Sequence, residues 1–375
     1  METLDDYRKK IDNIDKQLIG LFERRMDIVL KVAEFKRQNN LPVLQKSREE
    51  QVVGQVVSYL ENPDYRHAAA DFIRQVMRIS RECQKQQIRS LSYENGKTEK
   101  ISGIIGFQGT AGSFSEEALI GYFGKSASRK AYEEFEDVFT ALQKDEIAYG
   151  VLPIENSYTG GISSIYDLLE KYGFFIIGEL CIPICHHLVG TEGTTLDSIR
   201  EIYSHNQGFE QSGEFLSRHK EYTLIPYRNT AISAQYVGQC RDRSKAAIAS
   251  RRAAELYGLR LIQENIQNKN DNSTRFVIVG KCLVQDSSCD KVSVVFSMGH
   301  KAGTLYNLLG VFAKNQLNLV KIESRPKKDN PWTYYLYADF EGSIGSEATQ
   351  SALAQIQKSA AYFRVLGCYR ADHQS

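Results

Sequence analysis

Apolar residues recur at three- and four-residue intervals through the first part of the chain. After Leu4 come Ile11, Ile14, Leu18, Leu21, Ile28, Val32 and Phe35, and the series stops at Asn39-Asn40-Leu41-Pro42. That period is one face of a helix, and at ~1.5 Å per residue the helix exceeds ~50 Å. A second helix is expected from about 46 to 60, closed by Asn62-Pro63, and a third from about 64 to 88. Three helices of these lengths cannot cover the long stripe, which predicts a dimer sharing its long helices. Residues 1–90 are therefore expected to be all-α, followed by a polar linker at 91–100.

The period then changes. From 101 to 282, short apolar runs such as Ile104-Ile105-Gly106-Phe107, Tyr149-Gly150-Val151-Leu152, Phe174-Phe175-Ile176-Ile177, Ala246-Ala247-Ile248-Ala249 and Phe276-Val277-Ile278-Val279 alternate with helical stretches, the pattern of an α/β domain. From about 290 to 375 the order reads strand, helix, strand, strand, helix, strand, a ferredoxin-like βαββαβ arrangement.

Composition adds limits. The 375 residues suit two or three domains, and 42% hydrophobic with 25% charged residues is ordinary for a globular chain. Forty-seven basic against 46 acidic residues, a net charge of +1, argues against nucleic acid or an anionic membrane as the main partner. The charged start and the lack of a long apolar run predict a cytoplasmic location, and seven scattered cysteines read as reduced thiols. Cys181-x3-Cys185 and His186-His187 have no second pair at ligand spacing, so no metal is expected.

Chemistry enters with cations on the helical stripe. Arg8 lies one turn before Ile11, Arg25 three residues before Ile28, and Lys36 four after Val32. Arg48 and Glu49 adjoin the Val52, Val53, Val56 face, while Ser80 and Gln84 continue the Ile73, Val76 face. Any one of them could snorkel or join an internal ion pair. As a set they imply a bound anion or carboxylate partners, because burying unpaired cations is costly. The series Arg8, Arg25, Lys36, Arg48-Glu49, Ser80, Gln84 resembles the helical type of chorismate mutase, a domain-swapped dimer acting on a dicarboxylate. The resemblance implies that Arg8 (from the other subunit), Arg25 and Arg48 hold carboxylates, Lys36 and Gln84 donate to the breaking ether oxygen, Glu49 takes the hydroxyl, and Ser80 supports a carboxylate. Gln45 stands where some members carry an acidic residue.

In the α/β part, the loop Gly106 to Ser115, which includes Ser113, follows a strand and opens a helix, and could cradle an anion or be a simple Gly-rich turn. Together with Pro153-Ile154-Glu155-Asn156-Ser157, Tyr203-Ser204-His205-Asn206-Gln207 leading to Gln211, Asn229-Thr230-Ala231, and Asn272-Ser273-Thr274-Arg275-Phe276, it resembles prephenate dehydratase. That family has two α/β lobes like periplasmic binding proteins, which places the second lobe at about 181–263. By resemblance Thr274 assists the leaving hydroxyl, Arg275 binds a carboxylate, and Asn156, Ser204, Gln211 and Ser113 position prephenate.

Gly303-Thr304-Leu305 opens a helix after a strand, and Glu323-Ser324-Arg325-Pro326 ends the next strand. Both motifs resemble the ACT domain attached to prephenate dehydratases, in which L-phenylalanine binds between paired domains. Removing residues from about 290 onward is then expected to abolish inhibition but not turnover. The whole chain resembles the bifunctional chorismate mutase/prephenate dehydratases, with chorismate and prephenate as substrates, no cofactor, and a homo-oligomer, dimer or tetramer. A dehydratase with a helical dimerisation module and a non-enzymatic amino-acid sensor are the alternatives.

Overall fold

The computed structural model describes residues 3–38, 46–91, 103–284, 288–299, 301–327 and 332–372, with helix side chains described except at 33–34, 36–38, 46–50, 78 and 81–91. The chain divides into two compact units, 1–97 and 98–375. In the first, α1 (Leu4–Gln38) and α2 (Lys46–Ser58) each pack on α3 (Arg66–Leu91), which follows a single 3-10 turn at Pro63–Tyr65 whose Asn62 side chain accepts from the Asp64 amide. Asn62-Pro63 ends one helix and starts the next because proline fits a first helical position but not an interior one.

The long apolar stripe is present but uncovered within one chain. Ile11, Ile14, Leu21 and Ile28 are all more than half exposed, and Val32 is 40% exposed. Among the described residues of this unit, the buried positions lie instead on α3, at Ala70, Val76, Met77 and Ser80.

The second unit begins with β1 (Ile105–Gln108), α4 (Phe114–Phe123), β2 (Arg129–Tyr132), α5 (Phe135–Gln143), β3 (Tyr149–Asn156), the two-residue β4 (Gly160–Gly161), α6 (Ser163–Tyr172) and β5 (Phe175–Pro183). A second lobe follows: β6 (His187–Gly190), β7 (Glu201–Ser204), α7 (Asn206–Gln211), α8 (Gly213–Ser217), β8 (Thr223–Pro226), α9 (Thr230–Cys240), β9 (Lys245–Ala249), α10 (Arg251–Leu256) and β10 (Arg260–Gln263). The chain then returns as β11 (Ser273–Gly280), which enters antiparallel between β3 and β5. The second lobe has its own sheet, in the order β10-β6-β9-β7-β8. Its first strand starts at His187 rather than near 181, because Cys181 and Ile182 are held by β11 as part of β5.

The last segment is β12 (Lys291–Ser297), α11 (Thr304–Lys314), β13 (Leu319–Pro326), β14 (Tyr334–Glu341), α12 (Glu347–Ser359) and β15 (Tyr362–Tyr369), in the expected βαββαβ order. Its strands run β13-β14-β12-β15, and β15 lies parallel to β5, so the sheet continues through β11, β3, β1 and β2. The junction is tight: a Cβ on Gly367 would strike the Ile176 carbonyl.

One core spans this junction. Val295, Tyr337, Leu366 and Tyr369 pack with Ile176, Val277, Val279 and Tyr166. Cutting the chain near 290 would therefore expose apolar surface of the dehydratase lobe, at a cost of ~1.5–3 kcal/mol for each large side chain uncovered. The expectation that this segment can be removed without loss of turnover does not suit a shared core.

Candidate active sites

In the helical unit, the Arg25 guanidinium donates to the Ser80 hydroxyl, which itself donates to the Val76 carbonyl at 2.6 Å. Ser80 is buried, and burial lowers the pKa of Arg25. A cation of α1 and a hydroxyl of α3, 55 positions apart, are thus brought together. Arg8 is exposed and pairs locally with Asp5 at 3.3 Å. The side chains of Lys36, Arg48, Glu49 and Gln84, and the whole of Gln45, lie outside the described residues.

In the second unit the pairing of β11 with β3 sets Thr274 opposite Asn156. The Asn156 amide donates to Thr274 Oγ1 at 2.9 Å, to Asn272 Oδ1 at 2.9 Å and to the Ser273 carbonyl at 3.2 Å. Its own Oδ1 accepts from the backbone amides of Tyr158 and Thr159, which fixes the loop after β3. With its oxygen accepting, the Thr274 hydroxyl keeps its proton for donation. Asn156, Asn272 and Thr274 are all buried. Asn272 opens the sequence motif but carries no role in it; its position two residues before Thr274 is the available signal.

The second lobe joins beside this cluster. Ile184 donates its amide to the Asn272 carbonyl at 2.8 Å, and His186 Nε2 sits 2.7 Å from Gln211 Oε1. The His186 ring also meets Phe114 edge-on, 5.9 Å between centroids, and burial lowers its pKa, so it is a neutral hydrogen-bonding group at the seam. Ser204 is fully buried, its hydroxyl donating to the Ile248 carbonyl at 3.2 Å.

The Gly-rich loop differs from the anion cradle suggested by its composition. Ser113 caps α4 by accepting from the Glu116 amide, while the Gly112 amide donates to Glu116 Oε2 at 2.7 Å. The same carboxylate pairs with Arg129 at 2.7 Å and Arg252 at 3.1 Å. Burial alone would raise the Glu116 pKa, but the Gly112 amide and the two arginines hold it below the ordinary range. The loop's anion is therefore part of the chain. Tyr257 and Ser250 of the second lobe donate to the carbonyls of Ala111 and Gly112, which makes the loop a contact between lobes.

Arg275 departs further from expectation. Successive strand residues face opposite sides, so Arg275 points away from Thr274. It is buried against Glu155 at 3.0 Å, Glu179 at 3.0 Å and Asp339 at 2.8 Å. No side of this guanidinium is directed at the Thr274 cluster.

The C-terminal motifs split the same way. Thr304 Oγ1 donates to the Lys301 carbonyl at 2.8 Å, and Gly303 precedes α11 at φ +81°. Thr304, Ser324, Met298, Lys301 and Trp332 line a cavity of about 550 Å³. Glu323 and Arg325 alternate with Ser324 along β13 and turn to the dehydratase lobe. Arg325 pairs with Asp167 at 3.2 Å, and the Glu323 carboxylate lies against Gly161, where a Cβ would collide with it. Leu305 is partly exposed at the start of α11.

Among the described residues, no group of three or more metal-ligating side chains converges, and no helix is long and apolar enough to cross a membrane. The chain thus has two candidate active sites, an arginine–serine pair in the helical unit and an Asn–Thr cluster at the seam of the two-lobed α/β domain.

Comparison with known proteins agrees. The family Chorismate mutase type II matches residues 7–85, and the family Prephenate dehydratase matches residues 105–282. The bifunctional chorismate mutase/prephenate dehydratase of Pseudomonas aeruginosa is 30% identical over 98% of this chain and 98% of its own length. Two solved structures are similar: a prephenate dehydratase from Arthrobacter aurescens in complex with L-Phe (28% identity, 72% of this chain, 91% of that chain, TM-score 0.67), and GqqA, described as a novel type of quorum quenching acylase (26% identity, 72% and 98%, TM-score 0.66). The chain belongs to the bifunctional chorismate mutase/prephenate dehydratase family.

Proposed function

We propose that this chain converts chorismate to prephenate in its helical unit and prephenate to phenylpyruvate, the keto acid of phenylalanine, in its α/β domain, and that phenylalanine inhibits the second reaction. The carrying observation is the full-length relationship, 98% of this chain against 98% of the Pseudomonas enzyme, which includes both catalytic segments in order. The fold of the α/β domain alone is shared with a protein described as an acylase, so the Asn156–Thr274 cluster and the helical segment carry the chemistry.

The first reaction is a pericyclic rearrangement and needs no proton transfer. Its requirements are a fixed substrate conformation and donors at the ether oxygen where charge develops. Arg25, already oriented by Ser80, suits one carboxylate. Arg48 and the partner subunit's Arg8 would complete the hold on the two carboxylates, Lys36 and Gln84 would donate to the oxygen, and Glu49 would take the hydroxyl. Gln45 is polar and sits in the segment before Arg48.

In the second reaction the ring carboxylate leaves as carbon dioxide, its electrons enter the ring, and the opposite hydroxyl departs as the ring becomes aromatic. The departing oxygen needs a hydrogen-bond donor. Thr274 is suited because Asn156 occupies its acceptor side and directs its proton outward. Gln211 and Ser204 would supply the second lobe's share, and Ser113 would orient the loop between lobes. A substrate carboxylate must find donors other than Arg275. Assays of chorismate and prephenate consumption, with and without phenylalanine, test the reading; absence of either turnover defeats it.

The uncovered stripe of α1 suits a second copy of the chain. Sedimentation at micromolar concentration is expected to give an oligomer. Leu21→Glu with Ile28→Glu is expected to abolish mutase turnover, since the partner subunit's Arg8 would no longer reach the site. A monomer with full mutase activity would refute the shared-helix arrangement.

For the effector, the Arthrobacter aurescens dehydratase crystallised with L-Phe supports an ACT-type site. The cavity lined by Thr304 and Ser324, with Gly303 and Leu305 flanking Thr304 in the chain, is its proposed place. Gly303 has a positive φ, which a β-branched residue adopts only with strain. Gly303→Val should therefore weaken phenylalanine binding at least ~10-fold by calorimetry and leave uninhibited turnover intact. Unchanged binding would place the effector elsewhere.

A further inference from the structure

The side of β11 opposite Thr274 carries a buried charge cluster that lies outside the Asn156–Thr274 pair. Arg275 is its centre, bonded to Glu155 on β3, Glu179 on β5 and Asp339 on β14. Lys291 on β12 holds both Glu179 oxygens at 2.9 and 3.0 Å, and Lys321 on β13 holds Glu155 at 3.0 Å and Glu323 at 3.3 Å. Ser293 donates to Asp339 at 2.6 Å and meets the Tyr369 hydroxyl at 2.7 Å. Burial would push the Asp339 carboxyl up, but Arg275, Ser293, Lys291 and Lys321 hold it below the ordinary range. Three strands of the dehydratase sheet and three of the C-terminal segment are thus locked by one set of charges from which water is largely excluded.

Each end of this set adjoins a proposed site. Glu155 and Arg275 precede and follow the Asn156–Thr274 pair along their strands, so any shift of one moves the other. On β13, Lys321 and Glu323 grip Glu155 and Gly161, while Ser324 between Glu323 and Arg325 faces the 550 Å³ cavity. β13 therefore presents one face to an effector and the other to the loop that positions Asn156.

We propose that Arg275 is a positioning residue for dehydration and that its cluster, with Lys321 and Asp339, is the joint through which occupancy of the C-terminal cavity moves Thr274. The inference rests on the reading that phenylalanine is the effector, and it goes further by naming the coupling element. Packed ion clusters switch between discrete arrangements rather than deforming smoothly, which converts a small displacement of β13 into a changed setting of the Thr274 hydroxyl.

The test uses the full-length protein. Lys321→Met keeps the length of the side chain and removes the grip on Glu155. It should bind phenylalanine within about threefold of wild type by calorimetry, yet lose most inhibition, because binding and coupling are separable quantities. Arg275→Lys should lower dehydratase kcat roughly tenfold or more with little change in KM, and Arg275→Ala should lower it further, the pattern of a residue that acts through another. Thermal unfolding of each variant checks folding. If Arg275→Ala does not fold, Arg275→Lys and Lys321→Met decide.

A raised KM with kcat preserved in Arg275→Lys would mean that the guanidinium holds substrate, and would overturn the positioning role. Full inhibition of Lys321→Met would overturn the joint. If wild type binds no phenylalanine, the effector reading falls, and the kcat and KM of Arg275→Lys still judge the positioning role separately.

Discussion

Thr274→Ala is expected to lower phenylpyruvate formation by ~10²-fold or more, the usual effect of removing one oriented donor from a transition state. The structure gives reasons to expect a specific loss. The Asn156 amide retains Asn272 Oδ1 and the Ser273 carbonyl as acceptors, so the loop it organises survives the change. The alanine keeps a methyl group in a strand bounded by β3 and β5, and a lost neutral hydrogen bond costs only about 1 kcal/mol of stability. Mutase turnover, measured on the same preparation, should stay within about twofold, because the helical unit is compact in its own right. Near-normal phenylpyruvate production by the alanine variant would remove Thr274 from the mechanism.

The second large effect concerns the other unit. Lys36→Ala and Arg25→Ala should each reduce chorismate consumption by ~10²-fold or more while prephenate dehydration continues, since a rearrangement without acid or base depends on positioned cations. Arg25→Ala also strips the Ser80 hydroxyl of its guanidinium partner. Restoring charge with Arg25→Lys should recover little, because an ammonium cannot reproduce a planar fork that spans a hydroxyl and a carboxylate. Equal losses of both activities in Lys36→Ala would show instead that the helices serve assembly alone.

The elements with a strong period were legible from sequence. The end of α1 before Pro42, the start of α2 at Lys46 and the βαββαβ order all followed from spacing and breakers. Short strands were harder. Arg129–Tyr132, Thr223–Pro226 and Arg260–Gln263 have four residues each and lie at sheet edges, where one or both faces meet water and no apolar run is needed.

At the site, the motif around Thr274 and Asn156 was readable, but the direction of Arg275 was missed even though strand alternation implied it. Its partners could not be read, because Glu179 lies 96 positions away and is selected by sheet order rather than by local sequence. The Gly-rich loop stayed open between an anion cradle and a simple turn for a related reason. Composition showed amides available for an anion, and only the fold showed that Glu116 supplies it.

The position of β11 also sets an order of events during synthesis. β3 and β5 leave the ribosome with a place open between them, and the strand that fills it follows β5 only after the whole second lobe, from His187 to Gln263. That lobe is continuous in sequence, with its own core of Val189, Ala234, Val237 and Ala247, and can close as soon as it emerges. At ~5–20 residues per second, Thr274 arrives roughly 5–20 s after β5 is complete. A nascent chain that ends between Gln263 and Ser273 therefore carries a finished second lobe beside a first lobe that lacks the strand between β3 and β5, and the dehydratase hydroxyl is seated after every other strand of that lobe.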